Sequence, residues 1–341
     1  MQLLSHRLVR DLSALRPLRV IAWGRGHWGL PWLFLRAFAE LLPALVLGRV
    51  SVLHLGDPVL APLAALPRWF GVPVVVTVHG LDIEHPSPLY QAFLKICFWQ
   101  RMQAYACISR HVRDLVLRAG IEPDKVLVIA PGVDPGAQPR PRDGWEQALR
   151  DAGPVLVSVG RLVERKGMPW FLREVAPAVL AAQPDARIVV AGEGPCRAAV
   201  DAAVAAAGLS DRVLVVGAVD ESEKAWLLAR SHLVLMPNVP VPGDAEGFGL
   251  VAIEAGMAGR WVFAADLEGL RDAVIDGLNG SRLPPDDARA WREAILRACQ
   301  DLPALLASGA AAREVVRSRF SWPAMAAGYD DLFRTLEADA P

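Results

Sequence analysis

The chain alternates short apolar runs with longer amphipathic stretches, the pattern of strands and helices that follow one another. In the first part the predicted strands are LRVIAW (18–23), VSVLHL (50–55), VPVVVTVHG (72–80) and KVLVIA (125–130), and the predicted helices cover about 31–47, about 58–70 and a stretch ending at Gly120. The runs lack regular polar alternation, which is typical of parallel strands buried on both faces. This part is therefore predicted to be a parallel α/β domain.

A second parallel α/β domain is predicted after the Pro- and Gly-rich segment DPGAQPRPRDG. Five strand–helix units follow it, with strands PVLVSVG, RIVVAG, RVLVVG, HLVLMP and WVFAA. The predicted fold class is α/β, with two Rossmann-like, doubly wound domains facing a cleft. The predicted boundaries are 1–135 for the first domain, 136–152 for a linker and 153–320 for the second domain, with a last helix over about 321–338 that packs back on the first.

Composition and charge narrow the function classes. The 341 residues are 53% hydrophobic and carry a net charge of −1, so the charge gives no reason to expect bulk nucleic-acid binding. Four scattered cysteines, without C-x-x-C spacing, favour a reducing cytoplasm over a disulfide framework. The first residues carry charges where a signal peptide needs an apolar run. Because Arg36 and Glu40 interrupt the longest apolar region, 29–48, no transmembrane helix is expected.

The segment GRGHWG, 24–29, has the spacing of a dinucleotide-binding loop. That motif also needs an acidic residue about 20 positions further on, at the end of the next strand. The candidate, Asp57, lies too far away, and His27 and Trp28 crowd a loop that would have to approach a pyrophosphate closely. We therefore expect a turn after a strand. An NAD-linked enzyme ranks third, behind the two functions that the later motifs indicate.

Cations gather after the first strand of the second domain. The segment SVGRLVERKG places Arg161, Arg165 and Lys166 in a loop, and a helix is predicted to begin near Met168. Cations beside a helix N-terminus can bind phosphate, because the helix also points free N–H groups at the ligand. On these residues alone, a loop that carries charge for solubility is the favoured interpretation and a phosphate site the alternative.

The segment EGFGLVAIEAG places one glutamate, Glu246, in a loop and a second, Glu254, in a helix that starts near Gly249. The N–H groups of Gly247, Phe248 and Gly249 would be free at the helix start. The two carboxylates are too far apart for a paired acid and base, but they suit two contacts with one extended ligand. The alternative is a capped core helix with a solvated glutamate.

Taken together, the motifs resemble a known family, the retaining, nucleotide-sugar-dependent glycosyltransferases of family 4, which have the two-domain GT-B fold. The matching segments follow the family order and cover nearly the whole chain. They are TVHGLD (77–82), CISRHVRD (107–114), IAPGVD (129–134), VGRLVERKG (159–167), AGEGP (191–195), EGFGLVAIEA (246–255) and DGLNG (276–280). Each segment is weak alone, and their order and spacing make the resemblance specific.

The resemblance implies a role for each matching charged residue. Arg161 and Lys166 are similar to the family's pair that holds the donor diphosphate and stabilises it as the leaving group. Glu254 resembles the glutamate that binds the ribose hydroxyls. Glu246 resembles the glutamate beside the donor sugar, and His79 resembles a histidine of the first domain that contacts this sugar.

The remaining implied contacts come from backbone and small residues of the second domain. The N–H groups of Gly247, Phe248 and Gly249 would lie near the donor. Glu193, Gly194 and Val219 belong to segments similar to those that line the nucleobase. No cofactor and no metal are expected, since fixed cations at the diphosphate can stabilise the leaving group and the chain lacks D-x-D and ligand-spaced His or Cys clusters. The donor is expected to be UDP- or GDP-linked.

The resemblance fails at the start of the chain. QLLSHRLVRDLSAL resembles the family's first helix and LRVIAWG its second strand, so on this alignment the first domain lacks its opening strand and Gly-rich loop. A start site set too far downstream and a diverged protein are the two explanations. The segment 259–272 also departs from the family's Gly- and Pro-rich pattern, which leaves the sugar and acceptor open.

The acceptor side is the least specific. Aromatic and basic residues occur together at Trp28, Trp32, Phe34, Arg36 and Phe38, and again over 93–105. Such faces are either core or a surface that docks on a membrane. We expect a cytoplasmic enzyme, free or peripheral at the membrane's inner face, that transfers sugar to a glycan or lipid-linked acceptor in bacterial envelope or exopolysaccharide synthesis. The alternative is a degenerate or truncated homologue that binds a nucleotide sugar or acts as a scaffold.

Overall fold

The computed structural model describes residues 2–22, 29–85, 87–134 and 136–339, which form two compact α/β units. The N-terminal unit comprises Met1–Gly132 and Trp322–Pro341, and the C-terminal unit comprises Val133–Ser321. GRGHWG lies outside the described residues except for Gly29, which precedes the helix Leu30–Val46. In the described part of the chain, no helix is long and apolar enough to cross a membrane.

The N-terminal unit is built on a four-stranded parallel sheet with strand order β1-β2-β3-β4. Its strands are β1 (Leu53–Leu55), β2 (Val74–Val78), β3 (Ala104–Cys107) and β4 (Val126–Val128). Its helices are α1 (Gln2–Leu12), α2 (Leu30–Val46), α3 (Ala65–Trp69), α4 (Pro88–Phe93) and α5 (Arg110–Arg118), with a 3₁₀ turn over Pro58–Ala64 and a π-helical turn over Leu94–Phe98. Every residue of β2 is buried, as expected for a central strand covered on both faces.

Two features of this unit differ from the sequence prediction. The described part of LRVIAW, residues 18–22, forms no strand, and its Val20 is 47% exposed. An apolar run forms a strand only where a neighbouring strand supplies hydrogen bonds, and on the described residues β1 pairs only with β2. The strand β3, in contrast, was not predicted, because its four residues directly follow an aromatic segment with a helical pattern.

The C-terminal unit has a six-stranded parallel sheet with order β10-β9-β8-β5-β6-β7. Its strands are β5 (Val155–Val159), β6 (Arg187–Ala191), β7 (Val213–Gly217), β8 (Leu233–Met236), β9 (Trp261–Ala265) and β10 (Gly280–Leu283). The five predicted strands are confirmed. The sixth, β10, was missed because it is a short edge strand, Gly-Ser-Arg-Leu, and most of it is only half-buried.

Helices connect these strands and complete both units. Those of the C-terminal unit are α6 (Trp145–Ala148), α7 (Met168–Glu174), α8 (Ala176–Ala182), α9 (Arg197–Ala206), α10 (Glu221–Arg230), α11 (Leu250–Met257), α12 (Leu270–Ala273), α13 (Ala288–Gln300) and α14 (Leu302–Arg319), and α15 (Trp322–Ala338) follows in the N-terminal unit. Within that unit α15 packs on α1, where Arg16 forms ion pairs with Asp330, at 3.5 Å, and with Glu337. The two parallel sheets confirm the predicted α/β class with two Rossmann-like domains.

The strand order of the C-terminal unit positions a ligand site. From β5 the chain moves outward to β6 and β7 on one side, then returns to β8, β9 and β10 on the other. The connections that leave β5 and β8 at the carboxyl edge of the sheet therefore lead to opposite sides of this strand pair. Such a reversal point is where open α/β sheets bind ligands.

Candidate functional site

The loops that follow β5 and β8 contact each other through their backbones. The loop after β5 contains a 3₁₀ turn, Glu164–Lys166, and then Gly167 with φ of 65°. A Cβ atom at Gly167 would lie 1.9 Å from the carbonyl oxygen of Pro237. The N–H of Val239 donates to the carbonyl oxygen of Arg165 at 2.9 Å. Only glycine permits both this backbone conformation and this approach.

This contact brings Lys166 to Glu246. The Nζ atom of Lys166 donates to Oε2 of Glu246, and the Nδ2 atom of Asn238 donates to the same oxygen at 3.1 Å. The side chains of Lys166 and Glu246 are only 15% and 12% exposed. Burial by itself would raise the pKa of Glu246, but Lys166, Arg165 and Asn238 outweigh it and hold the pKa below its usual range. The loop thus presents a carboxylate that stays ionised.

Arg161 is the exposed cation of the loop after β5, which also carries Lys166. No hydrogen bond or ion pair of its side chain is found among the described residues. A guanidinium of this kind is available to a ligand at no cost in lost internal contacts, and it offers planar, bidentate donors that suit phosphate.

The predicted helix start is confirmed, since α11 begins at Leu250 with Gly249 as its N-cap at φ of 92°. The backbone N–H groups of Gly247, Phe248 and Gly249 make no hydrogen bond within the described residues. The side chain of Phe248 is buried and packs edge-to-face on Phe320, with ring centroids 5.8 Å apart. The loop is therefore held by Phe248 while its N–H groups remain available to an anion.

Glu254 lies on α11 and pairs with a lysine that the sequence analysis did not single out. The Nζ atom of Lys224, on α10, lies 2.9 Å from Oε1 of Glu254 and 3.0 Å from Oε2 of Glu221. Burial raises the pKa of Glu254 despite the opposing effect of Lys224. The sequence carries no signal for this pair, because Lys224 and Glu254 are 30 residues apart and their helices meet only in the fold.

The segments predicted to line a nucleobase meet at the ends of β6 and β7. The carboxylate of Glu193 binds Arg197 at 2.8 Å, and its Oε1 would lie 2.9 Å from a Cβ at Gly217. At Gly194 a Cβ would come within 2.4 Å of the carbonyl oxygen of Leu162, so this loop also lies against the loop after β5. Val219 is half-buried against a hydrophobic cluster in the same unit that contains Trp145 and Leu227.

His79 belongs to the N-terminal unit, where it follows β2. Its N–H donates to Oδ2 of Asp82 at 2.9 Å, and its ring Nε2 lies 3.3 Å from the carbonyl oxygen of Gly56. Because a carbonyl only accepts, Nε2 carries the proton of the neutral ring. Burial lowers the pKa of His79 and raises that of Asp82 to about 7. The histidine is therefore a neutral hydrogen-bonding group at physiological pH.

The predicted site residues thus fall into distinct local groups. Lys166 and Glu246 are in direct contact, Arg161 lies in the same loop as Lys166, and Glu254 has its own partner on α10. No cluster of three or more His, Cys, Asp or Glu with the geometry of a metal site occurs among the described residues.

Comparison with known proteins identifies the family. Residues 5–137 match the model described as Glycosyltransferase Family 4, and residues 153–301 match the model described as Glycosyl transferases group 1. D-inositol 3-phosphate glycosyltransferase of Frankia alni is 34% identical over 299 residues, which are 78% of this chain and 69% of that protein. The chain belongs to glycosyltransferase family 4.

Other relatives of this family 4 chain have names that describe different transfer reactions. The alpha-D-kanosaminyltransferase of Streptomyces kanamyceticus is 26% identical over 69% of this chain and 64% of its own length. The 2-deoxystreptamine glucosyltransferase of the same organism is 30% identical over 76% of this chain and 69% of its own length. The chain thus spans about two thirds of the length of these relatives.

Solved structures share the fold. Alr3699/HepE of Anabaena, in complex with UDP, superimposes with a TM-score of 0.71 at 19% identity, over 88% of this chain and 84% of that one. Sucrose-phosphate synthase of Thermosynechococcus elongatus gives a TM-score of 0.68 at 25% identity, over 95% and 82% of the two chains. These neighbours confirm the predicted GT-B fold of the family 4 chain.

Proposed function

We propose that this family 4 protein transfers a sugar, with retained configuration, from a nucleoside-diphosphate sugar to an acceptor. The observation that carries the proposal is the Lys166–Glu246 pair, which joins the loops that follow β5 and β8. Beside it lie the exposed Arg161 and the N–H groups of the loop before α11. Cations, free N–H groups and an ionised carboxylate converge on one edge of the sheet.

The proposed chemistry follows from where charge develops. As the sugar–phosphate bond breaks, negative charge grows on the diphosphate, so Arg161 and Lys166 stabilise the transition state more than the bound donor. Oε2 of Glu246 is held by Lys166 and Asn238, while no described residue binds its Oε1, which is therefore able to accept a sugar hydroxyl. These groups supply the charge stabilisation themselves, and the proposed reaction is metal-independent and requires no cofactor.

Binding of the nucleotide part of the donor is assigned to residues of the C-terminal unit near this pair. Glu254 would accept hydrogen bonds from the ribose hydroxyls, and Glu193, Gly194 and Val219 would line the base. UDP is the first nucleotide to test and GDP the second, because the Anabaena fold neighbour is described in complex with UDP and with UDP-glucose. His79 is proposed to contact the donor sugar as a neutral hydrogen-bonding group.

Thermal stabilisation by UDP, GDP, ADP and NAD tests the donor site. A ligand at about 100 times its dissociation constant stabilises the native state by about 2.7 kcal/mol. We expect a rise in Tm with one nucleoside diphosphate, a much smaller rise for Lys166→Ala and an unchanged rise for Lys125→Ala, whose lysine pairs with Glu122 on the surface. No rise with any diphosphate would refute the proposal, and a rise with NAD alone would replace it.

A second measurement separates transfer from binding alone. Proton NMR of the anomeric signal, with the donor that binds and a panel of acceptors, reports both turnover and configuration. A product with retained configuration supports the proposal, and an inverted product refutes the retaining mechanism. Binding of the donor with neither sugar transfer nor donor hydrolysis would favour the alternative of a degenerate nucleotide-sugar-binding protein.

For the acceptor we propose a glycan or lipid-linked molecule of the bacterial envelope, reached from the cytoplasmic face of a membrane. Of the residues noted for membrane contact, Trp28 lies outside the described part and Phe34 is half-buried, while Trp32 and Phe38 are 64% and 49% exposed. Leu35, between them on α2, is 60% exposed. Of the two interpretations left open for the second segment, 93–105, burial favours core for Leu94, Phe98, Met102 and Tyr105.

The distribution of charged residues supports the exposed face of α2 as a membrane contact. The charged residues of α2 are Arg36 and Glu40, which pair with each other at 2.7 Å and leave an otherwise apolar surface. The N-terminal unit carries 15 Lys and Arg against 12 Asp and Glu, whereas the C-terminal unit carries 21 against 25. An apolar helix face on the more basic unit suits an anionic membrane surface.

Co-sedimentation with anionic liposomes at low salt tests the membrane contact. We expect binding that falls severalfold for the double variant Trp32→Ser, Leu35→Ser. It should persist for Leu278→Ser, which removes an exposed leucine of the C-terminal unit. Absence of binding by the unmodified protein, or equal loss in both variants, would refute a role for α2.

A further inference from the structure

The carboxylate of Glu246 has two cationic neighbours, and the proposed donor site uses only one of them. Lys166 donates to Oε2 directly, and the Nε atom of Arg165 lies 3.6 Å from the same oxygen. The guanidinium of Arg165 is also bound at NH1 by Asp244, at 2.6 Å. Two adjacent residues of one loop therefore share a single carboxylate.

An unpartnered donor distinguishes Arg165 from Lys166. Arg165 is 8% exposed, and its Nε is buried without a hydrogen-bond partner in the described structure. Asn238, which donates to Glu246, is 2% exposed and has an unpartnered Oδ1. Leaving a buried donor of a charged group unpaired is costly. An interaction with Glu246 that tightens in another state of the site would remove that cost.

A bound diphosphate creates such a state. If Lys166 turns toward a phosphate, Glu246 loses its nearest cation and gains a nearby anion, and both changes favour protonation of a buried carboxyl. The Arg165 backbone is tied to the loop after β8 through Val239, and its side chain is tied to Asp244. Arg165 is thus anchored beside Glu246 whichever way Lys166 turns.

We propose that Arg165 is a positioning residue that keeps Glu246 a carboxylate, in place for the donor sugar, while Lys166 binds the diphosphate. This inference rests on the proposed function and deepens it. Lys166 serves the leaving group, and Arg165 serves the carboxylate through the shared Oε2 atom, to which Asn238 also donates. Arg165 itself touches no substrate.

The charged groups around Glu246 define what a titration would report. Lys166 and Arg165 face it from the loop after β5, and Asp244 lies beyond Arg165 in the loop after β8. From the loop after β9, Glu268 accepts the backbone N–H of Glu246. Of these, only the two cations favour the ionised form, so removing one shows what the other provides.

The test is a carboxyl ¹³C NMR titration of Glu246 in the full chain, assigned by its loss in Glu246→Gln. The titration is made with and without the nucleoside diphosphate that binds. In Arg165→Met the pKa of Glu246 should rise by about 1 to 3 pH units when the diphosphate is bound, and by less when it is absent. Arg165→Lys should reverse most of the rise. Arg173→Met, an exposed arginine of α7, should cause none.

A second variant keeps the inference testable if Arg165→Met does not fold. In Lys166→Met, Arg165 alone should hold the pKa of Glu246 below its usual range. A rise above that range there, or no difference between Arg165→Met and the unmodified protein with diphosphate bound, would overturn the inference. If no diphosphate binds the unmodified protein, the proposed function fails instead, and the two failures are distinguished.

Discussion

Substitution of Gly167 by alanine tests the contact on which the whole site depends. Gly167 has φ of 65°, and a Cβ added there would lie 1.9 Å from the carbonyl oxygen of Pro237. The substitution therefore has two costs, one from the backbone conformation and one from the overlap. Gly243, in the loop after β8, has φ of 74°, and a Cβ added there would meet no atom within 4 Å, so Gly243→Ala has only the first cost.

The magnitude can be worked from this pair. A left-handed backbone costs a non-glycine residue about 1 to 2 kcal/mol, which both variants share. Relief of the overlap in Gly167→Ala requires the loops after β5 and β8 to separate, and overpacking of this kind costs about 1 to 3 kcal/mol more. For a unit of this size, that difference lowers the Tm by about 2 to 12 °C relative to Gly243→Ala.

The assay combines stability with donor binding. Calorimetry of the two variants measures the difference in Tm, and titration with the nucleoside diphosphate measures affinity. Because loop separation moves Lys166 away from Glu246, we expect Gly167→Ala to weaken binding at least tenfold and Gly243→Ala to leave it nearly unchanged. Equal Tm values for the two variants would refute the close contact, and a destabilised Gly167→Ala with normal affinity would refute its role in the site.

Two further predictions concern buried ionisable groups. In Lys224→Met, Glu254 loses its partner, and burial already raises the pKa of this carboxyl. The affinity for the nucleoside diphosphate should therefore fall about tenfold or more at pH 6 and less at pH 8. An unchanged pH dependence of the affinity, measured by calorimetric titration, would contradict this prediction. Burial lowers the pKa of His54 to about 4. The unfolded chain therefore takes up a proton below about pH 6.5 that the native state resists, and the stability advantage over His54→Asn should shrink by up to about 3 kcal/mol from pH 6.5 to pH 4. Denaturant unfolding of both proteins across this pH range checks the prediction. Asp82 contributes with the opposite sign, but equally in both proteins, so its contribution cancels in the difference. A stability difference that stays constant from pH 6.5 to pH 4 would contradict the prediction.

Much of the fold was predictable because it depends on local patterns. Continuous apolar runs predicted β5, β6, β7, β8 and β9, since strands covered on both faces need no polar positions. The failures also have physical reasons. The run at 18–22 is apolar without a described sheet neighbour. The edge strand β10 is mostly half-buried, so it tolerates polar residues and lacks a continuous apolar run.

The site was predictable as a set of residue types and not as a set of contacts. Motif spacing singled out Arg161, Lys166, Glu246 and Glu254, because each lies in a loop that follows a strand or, for Glu254, in the helix that follows such a loop. Nothing in that spacing indicated that Lys166 would donate to Glu246, 80 residues further along the chain, or that Lys224 would pair with Glu254.

The sequence by itself determined the parallel α/β architecture, the family and the loops that carry charge, since periodicity, glycine positions and ordered motifs are local properties. Only the tertiary structure decided which charges meet. The strand order places the loops after β5 and β8 side by side at one edge of the sheet, and the backbone contact at Gly167 brings Arg165 and Lys166 onto one carboxylate. Ion pairs between distant segments depend on how the sheet is ordered, and the balance between burial and the neighbouring cations then determines which carboxyl pKa is lowered and which is raised.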